Sequence, residues 1–249
     1  MQEYCEIYMK NLEGHPASVQ FNAGISMDLE ENRQIFPTVA FVKVTLKEPS
    51  EKGLLSASEE PEILYLEDKL EAAMLKFRIG KYVGRVITQG SVTFIYYLQF
   101  TYNWQDFLDF ALDTFGHYEI ESGYQEDSEW NYYRHLLFPT PVEWQIIQNH
   151  KVCDALKAQG DALQQKRAIE HRIFFSDIDH KEAFLETVGE QGFAYTGDIT
   201  HEEGFDGVLI WRKDKPHYYE IDDVTLYLIE TAQRFGAQYD GWETSLVRL

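Results

Sequence analysis

Ala168-Ile169-Glu170-His171-Arg172-Ile173-Phe174-Phe175 runs directly into Ser176-Asp177-Ile178-Asp179. The first eight residues mix apolar and polar positions at a two-residue period, the pattern of a half-buried strand. The next four carry the side-chain oxygens that open helices, so a capping-box-like helix start follows the strand. That helix turns Phe184, Leu185 and Val188 inward and stops at Gly192, a residue suited to the left-handed conformation that ends helices. Two strands are expected next, from Phe193 to Ile199 and from Gly207 to Arg212, joined by the polar loop His201-Glu202-Glu203-Gly204. A second helix begins near Glu220-Asp222-Asp223, whose carboxylates suit the positive end of the helix dipole. Its apolar stripe is Ile221, Val224, Leu228, Ala232 and Phe235; Gly236 ends it, and Ala237 to Tyr239 opens a last strand. The order β-α-β-β-α-β predicts an α+β, ferredoxin-like domain with helices on one face of an antiparallel sheet and the other face open.

The N-terminal half follows the same grammar. Strand Thr38 to Leu46 leads to a helix beginning near Ser58, with Ile63, Leu66, Leu70, Ala73 and Phe77 at helical spacing and Gly80 as its stop. Strands Tyr82 to Thr88 and Ser91 to Phe100 form a hairpin around Gln89-Gly90. A helix carrying Trp104, Phe107, Leu108, Ala111, Leu112 and Phe115 ends at Gly116, and strand Tyr118 to Gly123 follows. Extra strands are expected at Tyr4 to Met9, Ala17 to Ile25 and Trp130 to Phe138. Pro141 to Gln165 reads as a helix, interrupted at Gly160, that links or clamps the halves. Two ferredoxin-like domains result, residues 1–160 and 161–249.

The chain has 249 residues, 44% of them apolar, enough for two cores. It holds 22 basic and 42 acidic residues, a net charge of −20, and both halves are acidic. Such a field repels phosphate backbones and disfavours direct nucleic-acid binding. It attracts basic partners and speeds their encounter, so a protein partner with a basic segment is the expected ligand. Cys5 and Cys153 sit in no metal-ligand spacing and read as free thiols. The start Met1-Gln2-Glu3-Tyr4 shows no secretory pattern, and no apolar run reaches bilayer length, so a cytoplasmic protein with no membrane association is expected.

Ala168-Ile169-Glu170-His171, Gly192-Phe193 and the ending Tyr239-Asp240-Gly241-Trp242-Glu243-Thr244 resemble the regulator of ribonuclease activity B family over roughly residues 165 to 249. That resemblance implies a small acidic ferredoxin-like domain that inhibits ribonuclease E by binding its C-terminal scaffold region. The chain departs from the family pattern at Glu243, where a small residue is usual, and at Arg172, where a second histidine is usual. Val83-Gly84-Arg85-Val86, Asp127-Ser128-Glu129-Trp130-Asn131-Tyr132-Tyr133 and Leu137-Phe138-Pro139 resemble a bacterial domain-of-unknown-function family (695), which brings no activity with it.

Candidate sites follow from local chemistry. In Tyr239-Asp240-Gly241-Trp242 the glycine commonly marks a bulge that redirects the next side chain. One reading aims Trp242 outward, making Tyr239, Asp240 and Trp242 a contact patch with Glu170 and His171 beside it; the other turns Trp242 into the core. His171 shares a strand face with Ile169 and Ile173 and reads as a hydrogen-bonded buried histidine. Arg85, Asp127, Glu129 and Trp130 form a second candidate patch, with Asp127 and Glu129 in an acidic turn that is either structural or a carboxylate pair. No catalytic residue, metal site or cofactor motif is assigned: the eight histidines include no i,i+4 pair, and phosphate loops and nucleophile elbows are absent.

The expected function is a non-catalytic, cytoplasmic protein-binding regulator, a ribonuclease E inhibitor-like module. The alternative is a hydrolase-like enzyme with Asp127, Glu129, Arg85 and His171 lining a cleft between the domains. A third reading makes the protein its own partner, as a homo-oligomer.

Overall fold

A computed structural model describes residues 5–201, 204 and 206–248. Met1 to Tyr4, and Glu202 and Glu203 of the expected polar loop, lie outside the described residues. The chain forms two compact units, residues 1–139 and 140–249.

The first unit contains β1 (Cys5–Leu12), β2 (His15–Asn22), α1 (Leu29–Ile35), β3 (Thr38–Thr45), α2 (Glu60–Phe77), β4 (Gly80–Thr88), β5 (Ser91–Leu98), α3 (Trp104–Leu112) and β6 (Ile120–Glu126). Its antiparallel sheet is ordered β1-β2-β4-β5-β3-β6. Period two sends Ala40, Val42 and Val44 of β3 and Val92, Phe94, Tyr96 and Leu98 of β5 to one face. There they meet Ile63, Leu66, Leu70, Ala73 and Met74 of α2 and Phe107, Leu108 and Ala111 of α3. Each fully buried aliphatic side chain contributes about 1.5–3 kcal/mol.

The segment Trp130 to Phe138 corrects the expected strand. It holds a π-helical turn at Tyr132–Leu137 and packs on the second face of the same sheet. Trp130 stacks on Tyr97 with ring centroids 3.8 Å apart, Phe138 meets Phe21 edge-on, and Tyr8 donates to the Leu137 carbonyl at 3.1 Å. The second face of this sheet is therefore covered around Tyr8, Phe21 and Tyr97.

The second unit contains α4 (Pro141–Ala158), β7 (Arg167–Phe175), α5 (Lys181–Gly189), β8 (Ala194–Thr200), β9 (Asp206–Asp214), α6 (Tyr218–Arg234) and β10 (Ala237–Thr244). Asp177 caps a short 3-10 turn, its side chain accepting from the Asp179 backbone, while α5 itself, with His180 at its N-cap position, starts without a side-chain cap, so the expected capping-box-like start is met only in part. The antiparallel sheet is ordered β10-β7-β9-β8. Taking its strands in chain order, that is fourth-first-third-second, and β6-β3-β5-β4 of the first unit has the same order. Ile173, Phe175, Val208 and Ile210 pack with Phe184 and Val188 of α5 and Val224, Leu228 and Ala232 of α6. Helix α4 belongs to this unit: its Cys153 and Leu156 pack with Ile169, Ile221 and Trp242. The compact units thus part before that helix, at Pro139 and Thr140, rather than near residue 160.

Three strands change register mid-course: β4 between Tyr82 and Gly84, β8 between Tyr195 and Gly197, and β10 between Tyr239 and Gly241. Each irregularity falls on a Tyr-x-Gly tripeptide. Two of them, in β4 and β8, occupy the equivalent strand of the two four-strand cores.

Candidate interaction surface of the second unit

The β10 bulge decides what the β7–β10 edge presents. Tyr239 lies opposite Ile173, Gly241 opposite Arg172 and Trp242 opposite His171. Residues facing each other across an antiparallel pair share a face, so Tyr239, Trp242, His171 and Ile173 all point to the helices. Tyr239, Trp242 and His171 are buried, which corrects the outward reading of the tyrosine and tryptophan. With Asp240 as the extra residue, two side chains three apart reach the same side. The left-handed backbone of Gly241, φ +113°, suits that geometry.

Trp242 is held by its polar end. Its Nε1–H donates to Asn149 Oδ1 at 2.8 Å, an oxygen that also accepts from Gln145 at 2.9 Å. Asn149 Nδ2 donates to Asp222 at 2.9 Å and to Thr225 at 2.7 Å. Asn149 is fully buried and fills its complete inventory of two donors and two acceptor positions. Sequence reasoning passed over it. The available signal was its place at i, i+4, i+7 with Cys153 and Leu156, an amide on an apolar stripe.

His171 Nδ1 lies 2.9 Å from the Tyr239 hydroxyl. Burial, with the positive charge of Arg212 adding to it, lowers its pKa from 6.5 to about 3, so it is neutral at physiological pH.

The other face of β7 and β10 carries the charge. Glu170 and Arg172 are half-buried, while Asp240 and Glu243 are exposed. Arg172 pairs with Glu243 at 3.2 Å and with Asp240 at 3.5 Å. Ala168, Glu170, Glu243, Thr244 and Ser245 border a shallow hollow of about 340 Å³. A second hollow of about 510 Å³, lined by Phe174, Ser176, His201 and Gln238 among others, is bordered by Asp240. Three carboxylates face Arg172 and, at the Ala168 end, Lys213 of β9, which leaves this strip acidic. It can hold cationic side chains, with Phe174 as an adjoining apolar surface.

The second candidate patch does not converge. Asp127 is buried and accepts hydrogen bonds from the Tyr97 hydroxyl at 2.5 Å, from Asn131 backbone and side chain at 3.0 Å and from the Tyr132 backbone at 3.1 Å. Burial raises its pKa, and these hydrogen bonds outweigh burial, leaving the carboxyl below its ordinary value. Trp130 is buried with its indole N–H on the Phe36 carbonyl at 2.8 Å. Glu129 is exposed and paired with Arg33. Arg85 is paired with buried Glu67 of α2 and lies opposite Phe94, on the helix-covered face, whereas Tyr97 and Asp127 lie on the other face. Arg85 and Asp127 are thus on opposite sides of one sheet and cannot line a common cleft. Among the described residues, no group of three or more His, Cys, Asp or Glu side chains is placed to hold a metal ion. No helix among them is long and apolar enough to cross a membrane.

A family model described as "Family of unknown function (DUF695)" matches residues 5–138, more than half of the chain. The chain belongs to this family. The DUF695 match ends one residue before the first compact unit does. A second model, described as "Regulator of ribonuclease activity B", matches residues 146–244, which lie within the second unit. No curated protein matches this DUF695 chain. It is similar to a solved structure titled "Crystal Structure of an Unknown Protein from Galdieria sulphuraria" at 11% identity and a TM-score of 0.22, covering 83% of this chain and 97% of that one. A second, titled "Crystal structure of an hypothetical protein", has 6% identity and a TM-score of 0.20, covering 98% of this chain and 96% of the other.

Proposed function

We propose that the protein is a cytoplasmic, non-catalytic regulator whose second unit binds a basic segment of a partner protein, a ribonuclease of the kind that the regulator of ribonuclease activity B family controls. The observation that carries this reading is the acidic strip of Glu170, Asp240 and Glu243 along the β7–β10 edge, in the region that the regulator model matches. Cationic side chains of the partner lie along the strip, and the net charge of −20 steers their approach. The first unit carries the second and adds to the attracting field.

The test is affinity capture from the native host at two salt concentrations, with wild type and a Glu170→Lys/Glu243→Lys variant. Wild type is expected to retain a ribonuclease or its scaffold segment at low salt and to lose it as salt rises. The variant is expected to retain none. Equal capture by both proteins removes the strip as the binding surface. A captured partner indifferent to salt removes the electrostatic basis.

A further inference from the structure

β1 ends the six-stranded sheet, and among the described residues β2 is the strand that pairs with it. The β1–β2 hairpin turns through Glu13-Gly14, both with positive φ, and closes on Leu12 opposite His15. In a two-residue hairpin the closing pair exchanges backbone hydrogen bonds, and such pairs alternate along the ladder. Leu12, Lys10, Tyr8 and Glu6 therefore turn their backbone groups to β2. Asn11, Met9, Ile7 and Cys5 turn theirs to the free side, a ready template for another strand. Along this edge Ile7 is 59% and Met9 55% exposed, on one face. Glu6, Tyr8 and Lys10 lie on the other, with Lys10 donating to the Tyr8 hydroxyl at 3.2 Å.

We propose that β1 pairs antiparallel with β1 of a second copy of this chain, about a two-fold axis at Tyr8, joining two six-stranded sheets into one. An isologous contact must be self-complementary, and the sequence of the strand meets that condition in one register. Hydrogen bonding requires outward-directed residues to oppose each other. Centred on Ile7, that rule sets Glu6 against Tyr8; centred on Met9, it sets Lys10 against Tyr8. Centred on Tyr8, it sets Glu6 against Lys10 twice and Ile7 against Met9 twice, ion pairs on one face and an apolar cluster on the other. Cross-strand pairs of both kinds stabilise antiparallel sheets. The net charge of −20 on each copy opposes association, so the dimer tightens as salt screens the repulsion. This dependence is opposite in sign to that of a basic partner on the second unit, which keeps the two proposals separable.

The test is sedimentation velocity on the full chain across protein and salt concentration, with circular dichroism as the folding check. Wild type is expected to dimerise. Lys10→Glu and Glu6→Lys each set like charges opposite one another twice and are expected to weaken the dimer by roughly tenfold or more. The double swap Glu6→Lys/Lys10→Glu restores both ion pairs and should regain wild-type association. An Ile7→Thr/Met9→Thr variant leaves the charges alone, keeps strand propensity and should also dissociate the dimer. A wild-type monomer under every condition overturns the proposal. So does a dimer indifferent to both single swaps or to the threonine variant, or a loss that the double swap fails to reverse.

Discussion

Arg172 Nη1 lies 3.2 Å from Glu243 Oε2 across the β7–β10 pair, a charged contact between the two strands on the face away from the helices. Their side chains are 36% and 60% exposed, so water screens the attraction. A double-mutant cycle on Arg172→Ala and Glu243→Ala, read by urea denaturation, is expected to give a coupling of no more than about 1 kcal/mol. The pair matters more for shaping the acidic strip than for stability.

Asn149 is a sharper stability determinant. Truncation to alanine strands the Trp242 N–H and removes one partner each of Asp222, Thr225 and Gln145 in one step. Asn149→Ala is expected to destabilise the second unit by roughly 2–4 kcal/mol, since each stranded buried group costs about 1–3 kcal/mol. Trp242→Phe, which removes one donor, should cost less. Denaturant midpoints of the two variants check the order.

His171 makes the second unit sensitive to mild acid. Its folded pKa, about 3, lies below the ordinary 6.5, so the unfolded chain takes up a proton that the folded chain refuses. Stability is fully present above 6.5 and declines as pH falls from there toward 3, by at most about 1.4 kcal/mol per pH unit. Denaturation of wild type at about pH 7 and about pH 5 should show the decline, and His171→Phe should lack this component.

Asp161 acts lower on the pH scale. It is buried with Arg167, whose Nη2 lies 2.7 Å away, and it accepts from the backbones of Leu163 at 2.8 Å and Val247 at 3.0 Å. Burial raises its pKa, and the backbone hydrogen bonds with the guanidinium more than offset that, leaving it below 3.8. Its stabilisation is present above 3.8 and is lost as pH falls through the lowered value. Asp161→Ala leaves a buried guanidinium uncompensated and is expected to cost about 3–5 kcal/mol, measurable as a lower melting temperature of the second unit.

Much of the fold was legible because its periodicities are regular. The alternation over residues 168–175 places Ile169, His171, Ile173 and Phe175 inside, as found, and the stripes of α2 and α6 match their buried faces. Trp130 to Phe138 misled because its aromatic and aliphatic residues resemble a strand. The buried positions are Trp130, Tyr133 and Leu137, spaced by three and four, which is helical spacing; a fully hydrogen-bonded Asp127 and the positive φ of Trp130 start the turn. The candidate site was legible in its charges and hidden in its anchors. Glu170 and Asp240 point outward as alternation predicts, but the bulge turns Trp242 inward, where its N–H meets Asn149, an α4 residue that strand reading does not reach.

The bulge in β10 also bears on how the length of this strand could change. Removing one residue from a regular strand turns everything beyond it inside out. Tyr239, Gly241 and Trp242 without Asp240 would still alternate inward, outward, inward. Asp240 is thus a spare unit in the count, one whose loss leaves the remaining side chains on their present sides. In β4, β8 and β10 alike, the Tyr-x-Gly step holds one residue more than the partner strand opposite it.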